Sequence, residues 1–152
     1  MKTQLRDLQL QQMDASLASW KAASLTAKPQ AGWVRAIRDA LGISGAALAR
    51  RLGMSTAGLR KLEVAEANEV ITLASLRKLA QALDCELHYA LVPRTTLTQQ
   101  LQDRAEAVAK AQLGPISHSM ALEDQSVQGL WNKLQTDAVV KDLLEGSRRD
   151  LW

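Results

Sequence analysis

At 152 residues and 16.6 kDa the chain has the length of one domain, or of a small domain with appended helices, and at 47% hydrophobic it can bury a core. Four Trp, one Tyr and no Phe make that core aliphatic, and the single cysteine, Cys85, excludes an intrachain disulfide framework and fits a reducing cytoplasm. The opening MKTQLRDLQLQQMDASLASW holds no continuous apolar segment, so neither a signal peptide nor a membrane span is expected, and the net charge of +3 conceals an asymmetry: residues 1–94 carry thirteen Lys/Arg against eight Asp/Glu, residues 95–152 six against eight.

Leu5, Leu8, Met13, Leu17 and Trp20 recur at helical spacing and predict an amphipathic helix over 3–24. KPQAG at 28–32 breaks it, because Pro29 cannot continue a helix interior. From Trp33, the residues Val34, Ile37 and Leu41 share one face, and Gly42 terminates that helix. Ser44 is the expected N-cap of the next helix, which carries Ala47, Leu48 and Leu52 inward. Gly53 supplies the positive φ of a short turn, and Ser55 or Thr56 caps the helix whose Leu59 and Leu62 face the core. Thr72 then caps ITLASLRKLAQALDC, with Leu73, Leu76, Leu79, Ala80 and Leu83 at helical intervals.

ELHYALVP alternates, with Leu87, Tyr89 and Leu91 on one side and His88, Ala90 and Val92 on the other. That pattern predicts a strand over 86–92, closed by Pro93. A single strand cannot satisfy its own backbone. Its expected neighbour is its own copy, paired antiparallel across a two-fold homodimer. Beyond it Leu97, Leu101, Ala105, Val108 and Ala111 or Gln112 stripe a helix over 95–113 that Gly114-Pro115 should stop. Shorter helices are expected over 119–134 and Asp137–Glu145, ended by Gly146. The fold class is mainly α, in three parts: an N-terminal helical extension at 1–30, a central bundle with a dimerising strand at 31–94, and a helical C-terminal region at 95–152.

One stretch stands out. ALARRLGMSTAGLRKLE, residues 47–63, sets the basic pairs Arg50-Arg51 and Arg60-Lys61 on either side of a tight turn. Helix, glycine turn and helix in this order resemble a lambda-repressor-like helix-turn-helix domain, and the four helices from about 33 to 84 match that family in length and apolar spacing. The resemblance implies that the second helix of the pair lies in the major groove of double-stranded DNA while flanking cations neutralise phosphates. Carried over residue by residue, it places Thr56, Ala57 and Lys61 at base edges, Ser55 and Arg60 beside them, and Arg50 and Arg51 toward the backbone. It also implies a structural ion pair between Arg38 and Glu63. Gly45 stands where the family often carries Gln, and Glu66–Glu69 form an acidic loop.

A broader resemblance spans residue 31 onward. AGWVRAIRDALGISGAALARRLG, LASLRKLAQALDCELHYALVP, SMALEDQ and LLEGSRRDLW are similar to the mobile mystery protein A family, regulators typically encoded beside a Fic-domain protein. The resemblance implies an antitoxin that represses its own operon and inhibits an AMP-transferring Fic partner. Many Fic proteins are restrained by a helix reading Ser or Thr, three residues, Glu, then Gly or Asn. Ser119 and Glu123 stand at that spacing, with Asp124 at the last position. The same residues also read as an ordinary helix start, Ser119 capping and Met120 and Leu122 packing inward. A stand-alone repressor whose rear helices only pack or dimerise is the alternative, and an interaction protein that has lost DNA binding a third.

Nothing in the sequence suggests an enzyme, a cofactor or a metal site. His88 and His118 stand without a second ligand at metal spacing, and Cys85 reads as a small buried side chain. Trp20, Trp33, Trp131 and Trp152 read as packing anchors on Leu-rich faces. The tail residues Arg148-Arg149 suit either DNA or a partner.

Overall fold

Side-chain caps and left-handed residues mark off the helices of the central segment. A computed structural model describes residues 1–23, 26–120 and 125–152, with side chains outside 115–128. Helix α2 (Trp33–Ala40) ends at Gly42, φ 68°, and α3 (Gly45–Leu52) ends at Gly53, φ 64°. After Gly53 the N–H groups of Gly53 and Met54 close on Arg50 O and Ala49 O, the paired bonds of a Schellman stop. Helices α4 (Thr56–Ala67) and α5 (Leu73–Ala82) end the same way, but with Glu69 and Asp84 in the left-handed region that favours glycine. At the opposite ends the hydroxyls of Ser44, Ser55 and Thr72 accept from the N–H of Ala47, Gly58 and Ser75 at 3.0–3.1 Å.

These four helices lie in one compact unit, residues 24–90. Val34, Leu48, Ala49, Leu59, Leu79 and Leu83 form its buried core, with Ile37, Leu52, Leu62, Leu76 and Cys85 packed against it. Most of the apolar positions that the spacing marks out face this core, but Leu41 and Leu73 stay exposed, and Ala49 is buried in addition.

A second unit joins residues 1–23 to 91–152, so the segments expected as separate terminal extensions fall together. It holds α1 (Lys2–Ala22), α6 (Leu97–Met120), α7 (Gln125–Glu145) and a 3-10 turn over Arg149–Leu151. Ala105 and Ala109 of α6 meet Val140 of α7 and Leu151, and small side chains let the two helices approach closely. Helix α1 buries no residue and is fastened by polar contacts instead. Asp14 accepts from the N–H of Leu97 and Thr98 at 2.6 and 3.0 Å, capping α6, and Arg148 pairs with Asp7. Arg104 donates to Leu151 O and lies 5.9 Å from the Trp152 ring centre.

Four expectations are corrected. Among the described residues there is no strand: 86–92 carries no regular structure, and Leu87, Tyr89 and Leu91 make no backbone–backbone hydrogen bond. Alternation alone does not make a strand where no ladder partner lies alongside, and Tyr89 and Leu91 stay exposed. Gly114-Pro115 does not stop α6, which continues to Met120, so the helix start expected at Ser119 is instead the last turn of α6. The expected break before Asp137 is absent: α7 runs unbroken from Gln125 to Glu145, with Thr136 Oγ1 donating back to Asn132 O at 2.7 Å inside the helix. Of the four tryptophans expected as packing anchors, Trp33, Trp131 and Trp152 are exposed, and only Trp20 is half-buried.

Candidate nucleic-acid interface

The α3–α4 hairpin turns on Gly53 and begins its second helix at the Ser55 cap. Because Leu59 points into the core, the residues one and two positions on, Arg60 and Lys61, point out of it. Ser55, Thr56, Ala57, Arg60 and Lys61 are all exposed, and they share the N-terminal, solvent-facing side of α4. Arg50 is likewise exposed. Arg51 is exposed too, but one of its N–H groups donates to Ala82 O at 3.3 Å, anchoring α3 to the end of α5.

What holds α4 in place is a set of contacts to α2. Arg38 Nε and Nη2 donate to the two Glu63 oxygens at 2.7 and 3.2 Å, a bidentate pair with side chains only 13% and 8% exposed. The hydrogen bond that Arg38 donates to Glu63 raises the Arg38 pKa further, so the cation is permanent. Arg38 also donates to Ile43 O at 3.1 Å, tying the pair to the α2–α3 turn. The ion pair that the resemblance implied is therefore formed.

One turn further along α4, Glu66 also turns inward. Its oxygens accept from the N–H groups of Trp33 and Val34 at 2.7 and 3.0 Å, so it caps α2 from another helix. The residue in the N-cap position, Gly32, has no side chain to do this, and a Cβ there would meet Glu66 Oε2 at 2.8 Å. Lys28 answers at the other end: its Nζ donates to Glu66 O and Ala67 O at 3.2 and 3.0 Å, adding a cation at the C-terminus of α4, where Glu66 O also accepts from Glu69 N–H. Sequence reasoning missed Glu66, Lys28 and Gly32. It took Glu66 as part of an acidic loop, whereas the carboxylate is buried. The only local hint was a helix starting after glycine with no capping side chain.

Other sequence candidates are placed as follows. Leu87 is half-buried, Tyr89 and Leu91 exposed. His88 lies 3.1 Å from Glu86, and no group of three metal-ligating side chains occurs among the described residues. Glu123 and the side chain of Ser119 lie outside the described residues. No described helix is long and apolar enough to cross a membrane.

Residues 34–89, from α2 to just beyond α5, match the family model described as helix-turn-helix. No curated protein and no solved structure matches the chain. The capped hairpin is thus part of a lambda-repressor-like helix-turn-helix domain.

Proposed function

We propose that this protein is a DNA-binding transcriptional regulator that reads duplex DNA with the exposed N-terminal side of α4. The observation that carries the reading is the pairing of an outward face, Thr56, Ala57, Arg60 and Lys61, with an inward face locked to α2 through Glu63 and Glu66. A recognition helix needs both, since base contacts discriminate only if the helix is held in register. Lys61→Ala or Thr56→Ala is expected to weaken binding to the cognate site by about 1–3 kcal/mol and blur its sequence preference. Arg50→Ala should weaken all duplexes alike. Gel shifts on DNA from upstream of its own gene check this. Unchanged affinity in all three variants would overturn it.

The finer reading is an antitoxin that acts as a homodimer and restrains a Fic-domain protein, with Ser119 and Glu123 as its inhibitory pair. It rests on the resemblance of residues 31–152, and one structural feature favours it over a stand-alone repressor. Leu130 and Trp131 of α7, with Leu134 one turn further on, are each more than half exposed and offer an apolar face to a partner. In this reading the segment 86–92, with Tyr89 and Leu91 exposed and their backbone unpaired, pairs between two copies. Co-purification with the neighbouring Fic-domain protein tests the partner, and Trp131→Ser should weaken the complex. Glu123→Gly should release AMP transfer while the complex persists. Ultracentrifugation of wild type and Tyr89→Pro tests the dimer; a monomeric wild type at micromolar concentration refutes it.

A further inference from the structure

A cleft of about 310 Å³ opens beside the buried ion pair, lined by Arg35 and Arg38 of α2, Gly45 of α3, and Thr56, Leu59, Arg60 and Glu63 of α4. Its charges do not cancel. Arg38 and Glu63 neutralise each other, which leaves the two guanidiniums of Arg35 and Arg60 facing the same space. Arg60 is exposed and has no ion-pair partner among the described residues. Arg35 is held only by Asp39, at 3.7 Å, with both side chains more than half exposed. An exposed pair at that spacing holds only weakly. Asp39 moreover lies closer to Arg38, at 3.2 Å, so its hold on Arg35 is shared. Gly45 leaves the mouth of the cleft unobstructed: a Cβ there would find Thr56 Cγ2 at 3.8 Å and nothing nearer.

We propose that this cleft seats one backbone phosphate of the DNA that α4 reads, gripped by Arg35 from α2 and Arg60 from α4. The inference rests on the DNA-binding reading and adds Arg35, outside the helix-turn-helix pair, as a positioning residue. A phosphodiester fits the site chemically. Its two unesterified oxygens match two planar forks of N–H donors, and no unpaired carboxylate lines the cleft to repel it. Such a contact carries no sequence information, yet it pins α2 and α4 to the same point on the duplex. Asp39 then acts as a weak internal competitor that yields Arg35 to the phosphate.

The test is fluorescence anisotropy on a cognate and a scrambled duplex across a salt series, with Lys61→Ala alongside. Arg35→Gln should weaken both duplexes by the same factor and reduce the salt slope by about 0.9, so its defect is about three- to four-fold larger at 50 mM than at 200 mM salt. Arg35→Lys should recover part of the loss, and Asp39→Asn should tighten both duplexes. Neutral methylphosphonates walked along the cognate duplex should reveal one position that weakens wild type and leaves Arg35→Gln indifferent. If wild type and Lys61→Ala behave as a sequence reader while Arg35→Gln keeps the affinity, slope and methylphosphonate profile of wild type, the seat does not exist. If wild type binds no duplex, the DNA-binding reading falls and this inference with it. Thermal stabilisation by inorganic phosphate that Arg35→Gln abolishes, without any change in DNA binding, would assign the cleft to a free phosphate and overturn the proposal.

Discussion

Replacing Glu63 by Ala should destabilise the residue 24–90 unit by about 3 kcal/mol. The carboxylate is 8% exposed and receives two guanidinium hydrogen bonds, so its removal strands the Arg38 charge in a site 13% exposed to water. Breaking such a buried pair from one side costs about 3–5 kcal/mol. The lower end applies here, because Arg38 keeps its bond to Ile43 O and its contact with Asp39. Urea denaturation followed by circular dichroism reads the effect: with a slope of about 1–3 kcal/mol/M, the midpoint should fall by roughly 1–3 M. Arg38→Met combined with Glu63→Ala should be less damaging than the two single losses added together, since no charge is then stranded. A coupling below about 0.5 kcal/mol would refute the reasoning: the pair would be a contact without consequence, and α4 would be held by packing alone.

Glu66→Ala leaves the Trp33 and Val34 N–H groups without their acceptor and should cost about 2–3 kcal/mol, while Glu66→Gln, which keeps one acceptor oxygen, should cost about half as much by the same urea assay. Asp84→Gly relieves a left-handed φ of 55° and should stabilise by about 0.5–1 kcal/mol, read as a raised melting temperature. Asp14 has its pKa lowered, first by the hydrogen bond from Thr98 Oγ1, so its ionised form favours the folded state. That contribution is complete above the ordinary carboxylate value of about 3.9 and is lost as pH falls through the lower folded value. Asp14→Asn should therefore be less stable than wild type at neutral pH, and the difference should close in acid titrations below about pH 4.

What the sequence disclosed follows the range of the interactions involved. Ser44, Ser55 and Thr72 are legible as caps because each bonds an N–H three residues away, and Gly42 and Gly53 because left-handed backbone is a local demand. Glu66 was not legible, since its partners lie 32 and 33 residues distant and nothing beside it marks the bond. The segment 86–92 misled for the opposite reason. Its alternation is local and real, but a strand is a property of two segments, and the chain supplies one. Helix α1 shows a third case: its apolar spacing gave the helix correctly, yet Leu5, Leu8 and Met13 remain about half exposed, because polar contacts at Asp7 and Asp14 fasten it.

The same distinction governs the electrostatics of the candidate interface. Residues 44–62 contain Arg50, Arg51, Arg60 and Lys61 and not one acidic side chain. The next two carboxylates along the helix, Glu63 and Glu66, would cancel much of that charge if they faced the solvent, since one or two turns of helix is within about 8–10 Å, the screening length at ordinary salt. Both are instead buried, and each is used up by donors of α2. Their negative charge holds α4 in place from behind while its outward side stays uncompensated. A net charge of +3 over the whole chain therefore understates the field that a polyanion meets at the hairpin. The contacts that make α4 rigid are the ones that leave its outer face positive.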